Sequence, residues 1–206
     1  MRGPTIGIGT VILLAAALIG SSARTVPGAP RDGRSLAGRL LVASSEMGDP
    51  RFTRTVIYMV RHDATGAMGL VINRPIGHLP LARLLEQLGL PTEGVKGDVR
   101  VHYGGPVERS QGFVLHTTDF SSAATLVVKD GVAMTSTPDV IAAIATGKGP
   151  RRRVLTLGYA GWSPGQLEGE LANGSWVVAA ADEALVFDEH HEGKWQRAMD
   201  RQLINL

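Results

Sequence analysis

Gly161-Trp162-Ser163-Pro164-Gly165 has the G-x-S-x-G spacing of a nucleophile elbow, and Asp182, Asp188, His190 and His191 follow it in the order of a hydrolase triad. An apolar run at residues 154–159 precedes it, as the elbow's strand should. The chemistry fails at one atom. The elbow builds its oxyanion hole partly from the backbone N–H after the nucleophile, and here that residue is Pro164, which has none. Ser163 as a helix N-cap, with Pro164 at the first helical position, accounts for the same residues, so no catalytic residue is assigned. Asp188, Glu189, His190, His191 and Glu192 are of types that suit zinc, nickel or iron. Adjacent histidines on an extended segment point to opposite faces, however, and no H-x-x-x-H or H-E-x-x-H pairing supports them. The cluster reads as a solvated loop and no metal is assigned. His62, His78, His102 and His116 read as structural or surface singles. Ala145-Thr146-Gly147-Lys148-Gly149 resembles a phosphate loop, but Gly149 stands where a magnesium-binding hydroxyl belongs.

The remaining chemistry-bearing residues are those that could converge on one cleft: Asn73 and Arg74, Gly104 and Gly105, and Tyr159, Gly161, Trp162 and Gln166, with Arg51 as an anion clamp. Paired glycines after a strand permit close backbone approach to a ligand, and equally serve a tight turn. No cofactor is implied by any of these residues.

The elements that must position them follow from periodicity. Strands are predicted at residues 39–43, 55–60, 69–73, 99–103, 112–116, 125–129, 154–159, 176–179 and 184–187, and helices at 80–88, 138–145, after Ser163, and at 195–203. Leu167 and Leu171, four apart, give the helix after Ser163 an inward face. Hairpins mixed with single helices argue for α+β rather than a doubly wound sheet.

Composition fits that order. With 206 residues, 44% hydrophobic and 19% charged, the chain can bury one core of ordinary size. The absence of cysteine excludes disulfides, thiolate nucleophiles and cysteine-ligated zinc. A formal charge of +2 gives no nucleic-acid surface; Lys148, Arg151, Arg152 and Arg153 form a local basic cluster that reads as a solvated loop, and direct nucleic-acid binding is disfavoured.

Residues 1–23 read as a hydrophobic leader or membrane segment, 24–35 as a linker and 36–206 as the folded domain. Residues 6–23 contain no charge, and their length lies between a signal-peptide core and a spanning helix. Arg24, Arg31, Arg34 and Arg39 follow the segment while Arg2 alone precedes it, which favours a tether with the domain facing the cytoplasm. Cleavage at Ser21-Ser22-Ala23 would instead export the domain, and a later translation start would remove the segment.

Four ordered blocks resemble one bacterial family, the AlgH/YqgE type: Leu40-Leu41-Val42-Ala43-Ser44 with Met47 and Asp49-Pro50-Arg51-Phe52; Gly69-Leu70-Val71-Ile72-Asn73-Arg74-Pro75; Tyr103-Gly104-Gly105-Pro106-Val107; and Gly158-Tyr159-Ala160-Gly161-Trp162 with the segment to Leu171. Trp195 fits the family's C-terminal tryptophan. The resemblance implies a single α+β domain whose mixed, bifurcated and partly barrel-like sheet is surrounded by helices. It carries no settled activity, since the family's regulator label derives from a genetic link to alginate production. Two functions from different classes follow. The first is a non-enzymatic regulatory or interaction protein with a protein partner. The second is a small-ligand-binding protein or weak enzyme using the cleft near Gly158-Tyr159-Ala160-Gly161-Trp162. Burial of Tyr159 and Trp162 as packing anchors would favour the first, and convergence of the turns on one concave face the second.

Overall fold

The computed structural model describes residues 35–203; the predicted leader and nearly all of the predicted linker lie outside the described residues. Among the described residues no helix is long and apolar enough to cross a membrane. Ten strands and five helices follow in chain order: β1 (Leu40–Ala43), β2 (Val56–Asp63), β3 (Gly66–Val71), β4 (Pro75–Pro80), α1 (Leu81–Gln87), β5 (Asp98–Tyr103), β6 (Val107–Thr117), β7 (Leu126–Lys129), β8 (Val132–Thr135), α2 (Pro138–Ala145), β9 (Arg153–Trp162), α3 (Gln166–Ala172), β10 (Trp176–Ala179), α4 (Glu183–Val186) and α5 (Lys194–Met199).

β9 organises the sheet. Its first half pairs parallel with β5, Leu155 opposite Val101 and Leu157 opposite Tyr103, while its last residues pair antiparallel with β3, Ala160 opposite Gly69 and Trp162 opposite Ala67. β6 runs antiparallel along the other edge. The main path is β10-β1-β2-β3-β9-β6-β8-β7, with β4 and β5 branching from β9. The sheet is therefore mixed and forked, as the resemblance implies. It does not close into a barrel: the path ends at β10 on one side and β7 on the other, and these two do not pair.

The fork has a steric cause. Gly104 N–H donates to Leu157 O at 2.8 Å and Gly104 O accepts from Val71 N–H at 2.9 Å, so one residue ties the end of β3 to β9. A Cβ on Gly104 would lie 2.1 Å from Gly158 O, and one on Gly105 would lie 2.0 Å from the carbonyl carbon of Tyr159. Gly158 has φ +73°, and its Cβ would meet Gly105 O at 2.5 Å. Two backbones cross here without room for a methyl group.

Period-two alternation then splits the core. Leu40, Val42, Val56, Tyr58, Leu70, Ile72, Phe113, Leu115 and Val154 pack on one face with Leu185, Val186 and Ala198 of α4 and α5. Their neighbours turn the other way, and that face divides at the fork. Leu41, Ile57, Val71, Ala160 and Trp162 meet Leu167 of α3. Val101, Val114 and Leu155 meet Leu84 and Leu85 of α1 and Val140 and Ile141 of α2.

Two local expectations are corrected, and two strands are added. Residues 184–187 lie in and just after a helical turn, α4, whose Asp182 cap accepts from Leu185 N–H at 2.7 Å; an apolar run this short carries no period of its own. Ser163 is not the cap of α3. That helix begins after Gly165, at φ +77°, and the Gln166 side chain folds back to accept from Ser163 N–H at 3.1 Å. β4 and β8 were not among the predicted strands: β4 carries a proline at each end and β8 is only four residues long.

Gly105→Ala is expected to cost more than about 3 kcal/mol in urea unfolding, the upper range of overpacking costs, because the clash is with backbone rather than a movable side chain. A loss below about 1 kcal/mol would overturn the steric account of the fork.

Candidate functional site

The loop at residues 44–55, between β1 and β2, is where most candidate residues meet. Asn73 accepts from Val56 N–H at 2.9 Å through Oδ1 and donates to Arg54 O at 2.9 Å through Nδ2. Arg74 donates to Thr53 O at 2.7 Å and to Arg51 O. Both side chains are thus spent in holding the loop. Held there, Arg51 pairs with Asp49 at 2.6 Å, which keeps the Asp49 carboxyl below the usual carboxylate range, and its guanidinium remains exposed.

Two adjoining concavities share Arg51. One, about 340 Å³, is lined by Met47, Phe52, Gly161, Trp162, Gln166 and Trp176 among others. Phe52 meets Trp176 edge-on at 5.5 Å between ring centroids, and Trp176 meets Trp162 at 6.0 Å. The indole N–H groups of Trp162 and Trp176 both donate to Glu170 Oε2, at 2.9 and 2.7 Å, and Gln166 donates to Glu170 Oε1 at 2.9 Å. The other concavity, about 500 Å³, is lined by Arg51, Arg74, Pro75, Ile76, Tyr103 and Arg109. Ile76 is 46% exposed there.

The rest of the candidate set lies apart from these openings. Gly104 and Gly105 are filled by the backbone of β9. Tyr159 stands three residues before Trp162 on the strand and faces the opposite core, edge-on to Phe113 at 5.8 Å. Trp162 itself is 7% exposed. Asp182 caps α4 and Asp188 pairs with Arg197, so neither carboxylate is left to orient a histidine toward Ser163. In the basic cluster, Arg151 and Arg152 both reach Glu183, at 2.9 and 3.5 Å.

A third and larger cleft, about 630 Å³, holds residues that spacing did not connect. Arg100 and His102 come from β5, Arg151, Arg152 and Arg153 from the start of β9, and Asp188, Glu189 and His191 from the loop before α5. Burial, followed by the nearby His191, pushes His102 down to about 4; burial, followed by Lys194 and Arg100, does the same for His191. Behind them Lys194 is fully buried and donates to Val186 O at 3.2 Å and Ile72 O at 3.4 Å. Burial lowers its ammonium to about 8.

The AlgH-like family model (DUF179) matches residues 40–206. The chain belongs to this family. An AlgH-like UPF0301 protein of Caulobacter vibrioides is 54% identical over 170 residues, covering 82% of this chain and 87% of its own. One from Rhodospirillum rubrum is 49% identical over 166 residues, covering 81% and 86%. The solution structure of AlgH from Pseudomonas aeruginosa superposes with a TM-score of 0.68 at 42% identity, over 85% of this chain and 92% of that one. Protein DIP2367 from Corynebacterium diphtheriae, at 22% identity and a TM-score of 0.64 over 82% and 87% of the two chains, shares the fold. AlgH-like proteins form a family of uncharacterised bacterial proteins, so membership brings an architecture and no reaction.

Two outcomes follow from the buried polar groups. Glu170→Ala strands two indole N–H groups and is expected to cost about 2 kcal/mol in denaturant unfolding, against well under 1 kcal/mol if Glu170 were an ordinary surface acid. Below pH 8 Lys194 is charged in both folded and unfolded chains. Above it the folded protein sheds the proton while the unfolded chain keeps it to about 10.5. Unfolding free energy should therefore rise by about 2 kcal/mol from pH 8 to pH 10, and Lys194→Met should abolish the rise.

Proposed function

We propose that this AlgH-like chain is a non-enzymatic interaction protein with a regulatory role, and that it binds its partner across the face centred on Arg51. The observation that carries this reading is the sharing of Arg51 between an aromatic slot and a basic hollow holding an exposed isoleucine. Such a face suits a partner segment that presents an apolar or aromatic side chain beside a carboxylate: the ring or aliphatic group enters the slot of Phe52, Trp162 and Trp176, and the acid meets Arg51 and Arg109. Asn73 and Arg74 serve by fixing the loop, which lowers the entropy lost on docking. The burial of Trp162 and the packing of Tyr159 on Phe113 support a recognition scaffold over a reactive centre. The arginines after residue 23 favour a domain facing the cytoplasm, tethered through residues 6–23.

A second reading rests on size. A slot of about 340 Å³ falls within the range of small-ligand pockets, so a small anionic aromatic molecule would satisfy the same contacts.

A photo-crosslinking residue at position 109 in the full chain, expressed in its own host, is expected to capture one protein through a segment with an acid beside an apolar residue. Arg51→Glu should abolish that capture. Capture unaffected by Arg51→Glu, or a small-molecule adduct in native mass spectrometry that the same substitution removes, would overturn the interaction reading.

A further inference from the structure

The large cleft between β5 and the loop before α5 contains a hydrogen-bonding conflict. His102 Nδ1 lies 3.2 Å from Leu155 O, an atom that only accepts, so Nδ1 carries the proton and Nε2 presents a lone pair. Arg100 Nη1, which only donates, lies 3.1 Å from His191 Nε2, which therefore presents a lone pair as well. These two lone pairs face each other across 3.3 Å. His191 Nδ1, left with the ring proton, is buried without a hydrogen-bond partner. Reversing the His191 tautomer turns an N–H toward the Arg100 guanidinium and trades one mismatch for another. No arrangement of protons on two neutral imidazoles satisfies all four nitrogens while both outer contacts stand.

We infer that His102 and His191 form a two-imidazole binding site for a late divalent transition-metal ion, zinc or copper by ligand type. A Lewis acid between the rings accepts both lone pairs at once. Two nitrogens bound at about 2.0–2.1 Å in tetrahedral geometry lie about 3.3 Å apart, which is the separation found. The Leu155 carbonyl plays the part usual for a partner of a metal-binding histidine, fixing the tautomer and the ring plane from the opposite nitrogen. Arg100 is the competitor. It gives up His191 on metal entry and has an acceptor ready in Glu189, whose Oε2 already lies 3.6 Å from Nη1. Asp188 is not a ligand, because Arg197 and the His190 N–H occupy it. No three metal-binding side chains gather anywhere among the described residues, so water from the open cleft completes the coordination. The ion then sits at an accessible position rather than in a closed structural cage. This site is separate from the Arg51 face and stands or falls independently of it.

The site does not use the adjacent His190-His191 pair, since adjacent side chains on an extended segment point to opposite faces. The partner of His191 comes from β5, 89 positions earlier.

The full chain is titrated with Zn²⁺ by calorimetry and with one equivalent of Cu²⁺ followed by electron paramagnetic resonance. Expected are one ion per chain, two equatorial nitrogens on copper, and at least tenfold weaker Zn²⁺ binding in His191→Asn, with His190→Asn unchanged. Arg100→Gln removes the competing donor and is expected to tighten Zn²⁺ severalfold, an effect that a purely structural histidine pair would not give. His102→Asn, checked for folding by circular dichroism, should match His191→Asn. Binding that survives His191→Asn, binding lost equally in His190→Asn, no tightening in Arg100→Gln, or no stoichiometric binding would each overturn the assignment.

Discussion

Everything else in this fold depends on two chain segments lying closer than side chains allow. At Gly104, Gly105 and Gly158 the end of β5 presses on the middle of β9, with carbonyl groups where Cβ atoms would be. That contact lets one edge of β9 serve β5 along its first half and β3 near its end, and so divides one face of the sheet into two cores while leaving the other continuous. Widening the contact by a methyl group on either side would separate the two lobes. The glycines that invite a reading as ligand approach are therefore explained by the approach of the protein's own backbone.

The same fork sets where the loop at residues 44–55 is held. Asn73 and Arg74 follow β3 just where it leaves β9, and their side chains reach back to hold the loop at residues 44–55 against the sheet. Arg51 and Phe52 are presented by that anchored loop, with Trp162 and Trp176 below them and Glu170 binding both indoles. The polar groups of this region work mostly on one another. What this region leaves exposed is the Ile76 side chain and the Arg51 guanidinium.

Much of this was legible in the sequence, and the failures have physical reasons. The strands at residues 40–43 and 56–60 are apolar on both faces and could hardly be anything else. Residues 184–187 looked the same, but Asp182 four residues before Val186 supplies a helix cap, and a single capped turn outweighs strand preference in so short a run. The helix after Ser163 begins two residues later than a Ser-Pro start predicts because Gly165 takes the left-handed conformation. Arg51, Arg74, Gly161, Trp162 and Gln166 do line adjoining openings, whereas Tyr159 faces away: an interval of three along a strand reverses the side chain, a rule that placing both residues in one cleft overlooked. The His102 and His191 pair could not be found from spacing, since it forms only when the loop before α5 folds over β5.

β9 is the eleventh of the fifteen described elements in chain order, and it contributes side chains to all three cores. A nascent chain that has left the ribosome only as far as α2 holds β3, β5 and β6 with the edges meant for β9 unpaired. The two lobes then have no common strand, and every hydrogen-bond edge that faces the gap is open to a neighbouring chain. Emergence of residues 153–162 closes those three edges together, which makes this one segment the point in translation at which separate hairpins become one sheet.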